Sequence, residues 1–372
     1  QYNIDTMSRP TVLLGMSGGV DSSVAALLLT RQGFEVHGIT LQVWEHENEE
    51  IAASKRWEER GCCKVGIARY VAQKLDISHE LIDSREQFRS AVIDDFVAAY
   101  ASGTTPNPCV RCNERVKIRQ LVEIADAKGM DYVATGHYAR VEHLKNEPIL
   151  KKSADPHKDQ SYFLYRLQTG WLNRLLFPVG HMQKSDVWKE ADALGLPAEE
   201  MRESQEICFV SHGDYRTFLK KQPALSATPG QFVDESGASL GTHQGIPFYT
   251  PGQRRGLGIA TGDRLYVQQV LPATNTVVLG PEESLLSSTC TIGDLNILDR
   301  RLLAAPTAFD CKVRYATPPS PATATPNPDE SLTVQFQKPQ RALSPGQSAV
   351  FYDGDRVMGG GIIQSIVTHP PR

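Results

Sequence analysis

The sequence predicts an α/β fold: an N-terminal parallel sheet with helices on both faces, a small mixed region, and a C-terminal β-barrel. Three observations predict it. Short apolar runs alternate with helical patterns from residue 11 to about 135, the mark of βαβ units and a parallel sheet. The turn Ser17-Gly18-Gly19-Val20-Asp21-Ser22 joins the first apolar run to the first helical pattern. After about residue 210 the text becomes glycine, proline and short β-like runs, as all-β barrels require. The 372 residues suffice for two or three domains of about 100–200 residues each. The expected boundaries are 1–212, 213–282 and 283–372.

The elements follow in order. Residues 11–16 (TVLLGM) read as a buried strand and 21–31 as a helix, with Gly33 where that helix would stop. Residues 34–44 (FEVHGITLQVW) read as a second strand, followed by a charged segment over 45–60. Helices are expected over 64–75, 86–100 and 113–128, and strands over 78–82 and 132–135. One more short helix is expected over 213–221. Beyond it QFVDE, RLYVQQV, TVVLG, CTIGDLNIL, FDCKVRY, SLTVQF and SAVFYD read as strands. Residues 317–329 (TPPSPATATPNPD) are rich in Pro, Thr and Ala and read as a flexible loop that buries nothing.

Composition narrows the function class. With 40% hydrophobic and 22% charged residues the chain has the makeup of a globular protein. No apolar run approaches the roughly 18 residues that span a bilayer, and no signal-peptide pattern is present. A cytoplasmic protein with no membrane partner is expected. The chain opens on six residues before Met7, and Met7 is expected to lie near the natural start. A net charge of −4 does not announce a nucleic-acid binder, yet phosphate binding needs only a local basic patch. Seven cysteines, an odd number, favour reactive or metal-binding thiols in a reducing compartment over a disulfide framework.

The glycine turn carries the first chemistry. Two glycines let the backbone approach a phosphate closely, and the following helix presents free N–H groups and its positive dipole end. Serine hydroxyls add donors, and Asp21 is suited to hold Mg2+. The plainer reading is a tight turn with a serine cap. The lysine of a Walker loop is missing. Ligands in a parallel sheet lie beyond the carboxyl ends of the strands. Leu41 falls there, to line an adenine pocket or simply to fill the core, and so does Thr135-Gly136-His137.

The cysteines carry the second. In TPNPCVRCN (105–113), Cys109 and Cys112 sit three apart after a Pro-Asn-Pro turn. Cys112 is expected just before a helix, where the dipole and Arg111 and Arg115 would favour its thiolate. Arg111, Arg115 and Arg119 would share one helix face, either as a patch for a phosphate backbone or as a solvated face. Cys208, in EICF where the composition shifts, is by default a buried, inert thiol. It gains interest because Cys112 lacks another mate. Cys62 and Cys63 suggest no function, and Cys290 and Cys311 read as barrel packing.

The strings GMSGGVDSS, TPNPCVRCN, ATGHYAR, KDQSYFL, ESQEICF and PGQRRGLGI occur in this order, followed by KVRY (312–315) and SPGQ (344–347). This ordered set resembles the tRNA-specific 2-thiouridylases, members of the ATP pyrophosphatase-loop enzymes, over nearly the whole chain. The resemblance implies an adenine nucleotide alpha hydrolase-like first domain. It implies transfer of sulfur to C2 of the wobble uridine, position 34, of tRNA, with ATP-dependent adenylation and release of AMP and pyrophosphate. It implies ATP contacts at Gly15, Met16, Ser17, Gly18, Gly19, Val20, Asp21, Ser22, Leu41 and Gly136, with Mg2+. Cys208 resembles the residue that receives a persulfide from a sulfur-relay protein or cysteine desulfurase. Cys112 resembles the second catalytic cysteine, and the pair would end as a disulfide. Asn107, Pro108 and Cys109 would meet the target base. His137, Lys158, Asp159, Gln160, Arg314, Tyr315 and Gln347 match further tRNA-contacting positions.

One position departs from the family. Many members carry Asp where this chain has Cys109. Either Cys109 is a neighbour of a persulfide mechanism, or Cys109, Cys112 and Cys208 bind an iron–sulfur cluster with one iron open for sulfide. A zinc site would need His137 as a fourth ligand. Two other functions compete. A loop-sharing synthetase, such as argininosuccinate or GMP synthetase, would need neither Cys112 nor Cys208. A non-catalytic RNA-binding protein would bind tRNA without forming AMP.

Overall fold

The computed structural model describes residues 9–44, 64–145, 147–196, 207–210, 214–225, 227–259 and 264–367. Cys62, Cys63, Met7 and the charged segment 45–60 lie outside the described residues. In chain order the elements are β1 (Thr11–Gly15), α1 (Val20–Arg31), β2 (Glu35–Gln42), α2 (Val65–Leu75), β3 (Ser78–Asp83), α3 (Arg85–Phe88) and α4 (Asp94–Ala101). Then come α5 (Pro108–Cys112), α6 (Ile118–Lys128), β4 (Tyr132–Thr135), β5 (Ala139–Leu144), β6 (Glu147–Lys152), α7 (Thr169–Leu172), β7 (Leu175–Leu176) and α8 (Lys184–Ala193). The remainder is α9 (Tyr215–Lys220), β8 (Gly230–Val233), β9 (Ser239–His243), β10 (Tyr266–Leu271), β11 (Thr276–Gly280), β12 (Leu286–Ile297), α10 (Arg301–Ala304), β13 (Thr307–Lys312), β14 (Ser320–Pro326), β15 (Leu332–Arg341), β16 (Ser348–Asp353) and β17 (Arg356–Val367).

The chain forms two compact units. One holds Gln1–Val92, Cys109–Gly213 and Asp355–Val357, the other Ile93–Pro108, Asp214–Gly354 and Met358–Arg372. The first unit is built on a five-stranded sheet of order β3-β2-β1-β4-β7, parallel throughout. Val12, Leu13 and Leu14 of central β1 have no exposed surface, because a parallel sheet covered on both faces buries successive side chains alike. Val24, Ala25 and Ala26 of α1, Ile67, Ala68 and Val71 of α2, and Val187 and Ala191 of α8 share one core cluster with β1. The helix-bearing sheet is the fold the alternating pattern predicts.

Two helices differ from expectation in a way that bears on function. Residues 86–100 are not one helix: α3 passes through a π-turn at Arg89–Ile93 into α4. The helix expected over 113–128 begins earlier, at Pro108, and α5 passes through a π-turn at Asn113–Lys117 into α6. Proline suits a first helical position because its missing N–H and fixed φ cost nothing there. Cys112 therefore lies inside the helix rather than before it, and the dipole end belongs to the turn that carries Cys109. Each π-turn inserts a residue into the helical ladder, a distortion often found at functional sites.

In the second unit α4 packs on α9. Tyr100 stacks on Tyr215 with ring centroids 4.7 Å apart, and Phe96 meets Phe218 edge-on at 6.0 Å. A small sheet of order β10-β11-β8-β9 follows. Then β12-β15-β14-β13-β16-β17 close into a six-stranded barrel through a β12–β17 pairing. Residues 317–329 are not a loop that buries nothing. They contain β14, paired with β13 and β15, with Ala322 and Ala324 sealed in the barrel core. Cys290 and Cys311 are packing residues there, and burial pushes the Cys290 thiol up to about 12 and that of Cys311 well above its usual value.

Candidate active site

The glycine loop leaves the carboxyl end of β1 and enters α1 without a side-chain cap. Gly18 takes φ +75°, and a Cβ there would lie 2.0 Å from the Lys64 carbonyl oxygen, so no other residue fits. A Cβ on Gly19 would meet only Ser17 Oγ at 3.4 Å, which leaves that side of the loop open. The helical ladder starts with Ser23 N donating to Gly19 O at 3.1 Å. The amides of Val20, Asp21 and Ser22 thus have no intrahelical acceptor and form the N-terminal anion cradle expected of a phosphate loop. Ser22 and Ser23 hydroxyls donate to Gly19 O at 3.1 and 2.9 Å and hold the turn. Half-buried Gly15 and buried Met16 form the approach to the loop. Met16 N donates to Ile39 O at 2.7 Å and Met16 O accepts from the Thr40 hydroxyl at 2.6 Å.

Leu41 is buried on β2, 9% exposed. Gly136 follows β4 and packs on the loop: a Cβ there would stand 2.6 Å from Ser22 N. Two residues that the sequence reading missed complete this corner. The Tyr138 hydroxyl donates to Asp21 Oδ1 at 2.8 Å, and Lys184 Nζ, at the start of α8, lies 2.6 Å from the same oxygen. Lys184 is 7% exposed. A cation in the first turn of a helix opposes the dipole; the Asp21 pair and the Asp155 carboxylate, which accepts from Lys184 N at 3.0 Å, offset that cost. Their distance in sequence from the loop, over a hundred residues, hid both.

The segment Lys158-Asp159-Gln160 braces the same corner. Gln160 Oε1 accepts from Tyr138 N at 2.9 Å, and Gln160 N donates to Tyr138 O at 2.8 Å. Asp159 is buried and accepts from Ser153 N, Ser161 N and the Ser161 hydroxyl. Lys158 is half-buried. A chain of bonds thus runs from Gln160 through Tyr138 to Asp21 and Lys184. His137 Nδ1 is 2.7 Å from the Thr135 hydroxyl. Desolvation, aided by the Lys117 charge, pushes its imidazole down to about 3, so it is neutral at physiological pH.

All described cysteines are free thiols. Cys112 is buried and Cys109 half-buried. Burial holds the Cys109 thiol above its usual value, opposed in part by the Lys117 charge. Beside them Asn113, 5% exposed, donates to Phe163 O at 3.5 Å while its Oδ1 has no hydrogen-bond partner among the described residues. An orphaned buried acceptor next to Cys112 suits a site that receives a polar ligand. The expected basic face is partly spent: Arg111, Arg115 and Arg166 gather on Glu114 at 3.1, 3.8 and 2.8 Å, and Arg119 pairs with Glu123. Cys208 is half-buried in a turn closed by Val210 N donating to Ile207 O at 2.9 Å. Phe209 anchors that turn edge-on against Phe88 and Trp44. Among the described residues, which include Cys109, Cys112 and Cys208, no group of three or more His, Cys, Asp or Glu is placed to hold a metal ion. As they stand, the three sulfurs are not a ligand set for a cluster.

The remaining predicted residues lie in the second unit. Pro108 is buried and Asn107 half-buried. Gln347 grips the turn that precedes them, donating from Nε2 to Thr105 O and Pro106 O at 3.1 Å each, while Thr105 N donates to Pro345 O at 2.8 Å. Arg314 donates to Ala342 O, and Tyr315 is 40% exposed under the Lys312 ammonium.

The family model described as tRNA methyl transferase HUP domain matches residues 10–212. The tRNA methyl transferase PRC-barrel domain matches 216–281, and the aminomethyltransferase β-barrel domain matches 287–363. The chain is 45% identical to a tRNA-specific 2-thiouridylase MnmA of Magnetococcus marinus, over 96% of this chain and 100% of that one. It is 42% identical to that of Clostridium perfringens, over 97% and 100%, and 44% identical to that of Pelotomaculum thermopropionicum, over 96% and 98%. Among solved structures, NMN synthetase from Francisella tularensis is similar at 17% identity and a TM-score of 0.32, over 52% of this chain and 66% of that one, a likeness too slight to bear on function.

Proposed function

The chain belongs to the family of tRNA-specific 2-thiouridylases, and from that premise we propose that it converts the wobble uridine of tRNA to 2-thiouridine with ATP. The observation that carries the reading is 42–45% identity to thiouridylases over nearly the full length of both chains.

The chemistry follows from the residues. A urea-like carbonyl is a poor electrophile, so its oxygen must first become a leaving group. The uridine O2 attacks the α-phosphorus of ATP and pyrophosphate leaves. The amides of Val20, Asp21 and Ser22, with Lys184, stabilise the charge that develops on the phosphates. Mg2+, when bound, would neutralise further phosphate charge, and the Asp21 carboxylate would hold it. The terminal sulfur of a Cys208 persulfide then attacks C2 and AMP departs with the former O2. Cys112 attacks Cys208 Sγ, the S–S bond breaks toward the base, and C2 becomes a thiocarbonyl. The resulting Cys112–Cys208 disulfide needs a dithiol reductant before the next turn. The persulfide comes from a sulfur-relay protein or a cysteine desulfurase. The base must leave its stack to reach a buried cysteine, and Asn107, Pro108 and Cys109 are the proposed target-base contacts. His137, Lys158, Arg314 and Tyr315 are proposed for the rest of the tRNA, with Asp159, Gln160 and Gln347 shaping the segments around them. The proposed location is the cytoplasm, where tRNA and ATP are made available; no described helix is long and apolar enough to cross a membrane.

The test is a reaction of the purified protein with ATP, a persulfide donor and a tRNA transcript bearing uridine 34. The expected products are AMP, pyrophosphate and 2-thiouridine, the last lost in Cys112→Ser and Cys208→Ser. AMP formation on an amino or carboxyl substrate, unaffected by both substitutions, would mean a loop-sharing synthetase instead.

A further inference from the structure

We propose that the turn PGQRRGL (251–257) is a second phosphate-binding surface, continuous with Arg314, that grips the RNA backbone of the tRNA. The inference rests on the reading of tRNA as substrate and adds a site to it.

The turn is built to hold two arginines out in solvent. Gln253 ties it internally: its Oε1 accepts from Thr250 N at 3.2 Å and its Nε2 donates to Arg255 O at 3.1 Å. The backbone is pinned to β10, with Gly252 N donating to Val267 O at 2.8 Å and Val267 N to Gln253 O at 2.9 Å. Gly252 and Gly256 take φ of +86° and +73°, conformations that only glycine adopts readily. Pro251 and Leu257 are buried at its ends, while Arg254 and Arg255 between them are exposed. Neither arginine side chain has a hydrogen bond or ion pair among the described residues.

The surroundings add further cations. Arg216 of α9 donates to Arg255 O at 3.4 Å, and its Nη1 would stand 2.6 Å from a Cβ on Gly256. Lys220, one helical turn on, shares that face and sits over the Phe248 ring at 5.5 Å. The one carboxylate of this helix start, Asp214, is engaged as a cap by Arg216 N and the Thr217 hydroxyl. On the other side, Arg341, which pairs through Nε with Glu282 at 3.0 Å, and Arg314 place Nη1 and Nη2 3.7 and 4.0 Å from where a Cβ on Gly252 would be. Gathering Arg254 and Arg255, which have no counter-charge among the described residues, beside Arg216 costs self-repulsion, which a polyanion relieves. A pre-ordered turn also spares the ordering entropy of the two backbone segments. The spread from Arg216 through Arg254 and Arg255 to Arg314 suits a row of phosphates rather than one small anion, and arginine suits phosphate. The acidic chain as a whole, at −4, makes this local surplus stand out.

The test is binding of a full-length tRNA transcript to the Arg254→Ala, Arg255→Ala double variant and to wild type, by fluorescence anisotropy across a KCl series. Two lost phosphate contacts should make the slope of log K against log salt about 1.8 less steep and raise KM for tRNA, with kcat at saturating tRNA and the affinity for ATP unchanged. Both side chains are exposed, so the variant should melt with wild type. Equal affinity and equal slope for the variant and a tRNA-binding wild type would overturn the proposal while leaving the thiouridylase reading in place. A wild type with no salt-dependent affinity for tRNA would overturn both.

Discussion

Lys184 Nζ lies 2.6 Å from Asp21 Oδ1, and the Tyr138 hydroxyl donates to the same oxygen. The pair joins the first turn of α8 to the first turn of α1, at the mouth of a loop that has no Walker lysine. A buried ammonium held on a carboxylate beside an anion cradle is placed to add positive charge to a phosphate bound there. Lys184→Met should lower kcat for AMP formation by about 10²–10³-fold, as loss of one preorganised electrostatic donor does. Lys184→Arg should recover part of it. Pre-steady-state AMP release checks this; a variant as fast as wild type would remove Lys184 from the phosphate site.

Cys109 has a thiol that burial holds protonated, and thiolate is the reactive form. It should react with iodoacetamide at pH 8 more slowly than glutathione does, read by peptide mass spectrometry. Cys109→Asp should keep thiolation, and Cys109→Ser should keep most of it. Loss of activity in both, together with bound iron in wild type, would make Cys109 a cluster ligand.

His137 titrates at about 3 in the fold against a usual 6.5. Between these values the unfolded chain binds the proton and the folded one does not. Stability from this group is therefore full above about 6.5 and is lost as pH falls toward 3. The pH profile of kcat/KM should show no ionisation of His137 between roughly pH 5 and 9, and His137→Gln should abolish none of the profile's limbs. An imidazole NMR titration with its midpoint near the usual value would contradict this.

Gln347 donates two bonds to the carbonyls of Thr105 and Pro106, just before Asn107 and Pro108. Each bond contributes about 1 kcal/mol. Gln347→Ala should thus lower kcat/KM for tRNA by up to about thirtyfold, with the affinity for ATP unchanged. Gln347→Glu should be worse, because a carboxylate repels both carbonyls. Equal loss for ATP would point to a general folding defect instead.

Much of this was legible in the sequence, for physical reasons. β1 reads as a strand because a doubly covered parallel strand is apolar throughout, and the Gly18–Gly19 turn is legible because only glycine fits it. β14 was illegible: its buried face is alanine and its outer face Pro and Thr, so no hydrophobic alternation marks it. The π-turns at Arg89–Ile93 and Asn113–Lys117 leave no trace in a 3.6-residue period. Pro108 did signal the true start of α5, and reading it would have put Cys112 inside the helix. Tyr138 and Lys184 reach Asp21 only through folding of the sheet, which no local pattern reports.

The most direct measurement follows the sulfur. Protein charged with a labelled persulfide on Cys208 is mixed with ATP and tRNA in a single turnover, and label is counted on nucleoside 34. The account predicts one labelled 2-thiouridine per AMP formed, a Cys112–Cys208 disulfide left behind, and no transfer in Cys112→Ser. Label that stays on Cys208 while unlabelled 2-thiouridine appears would contradict it.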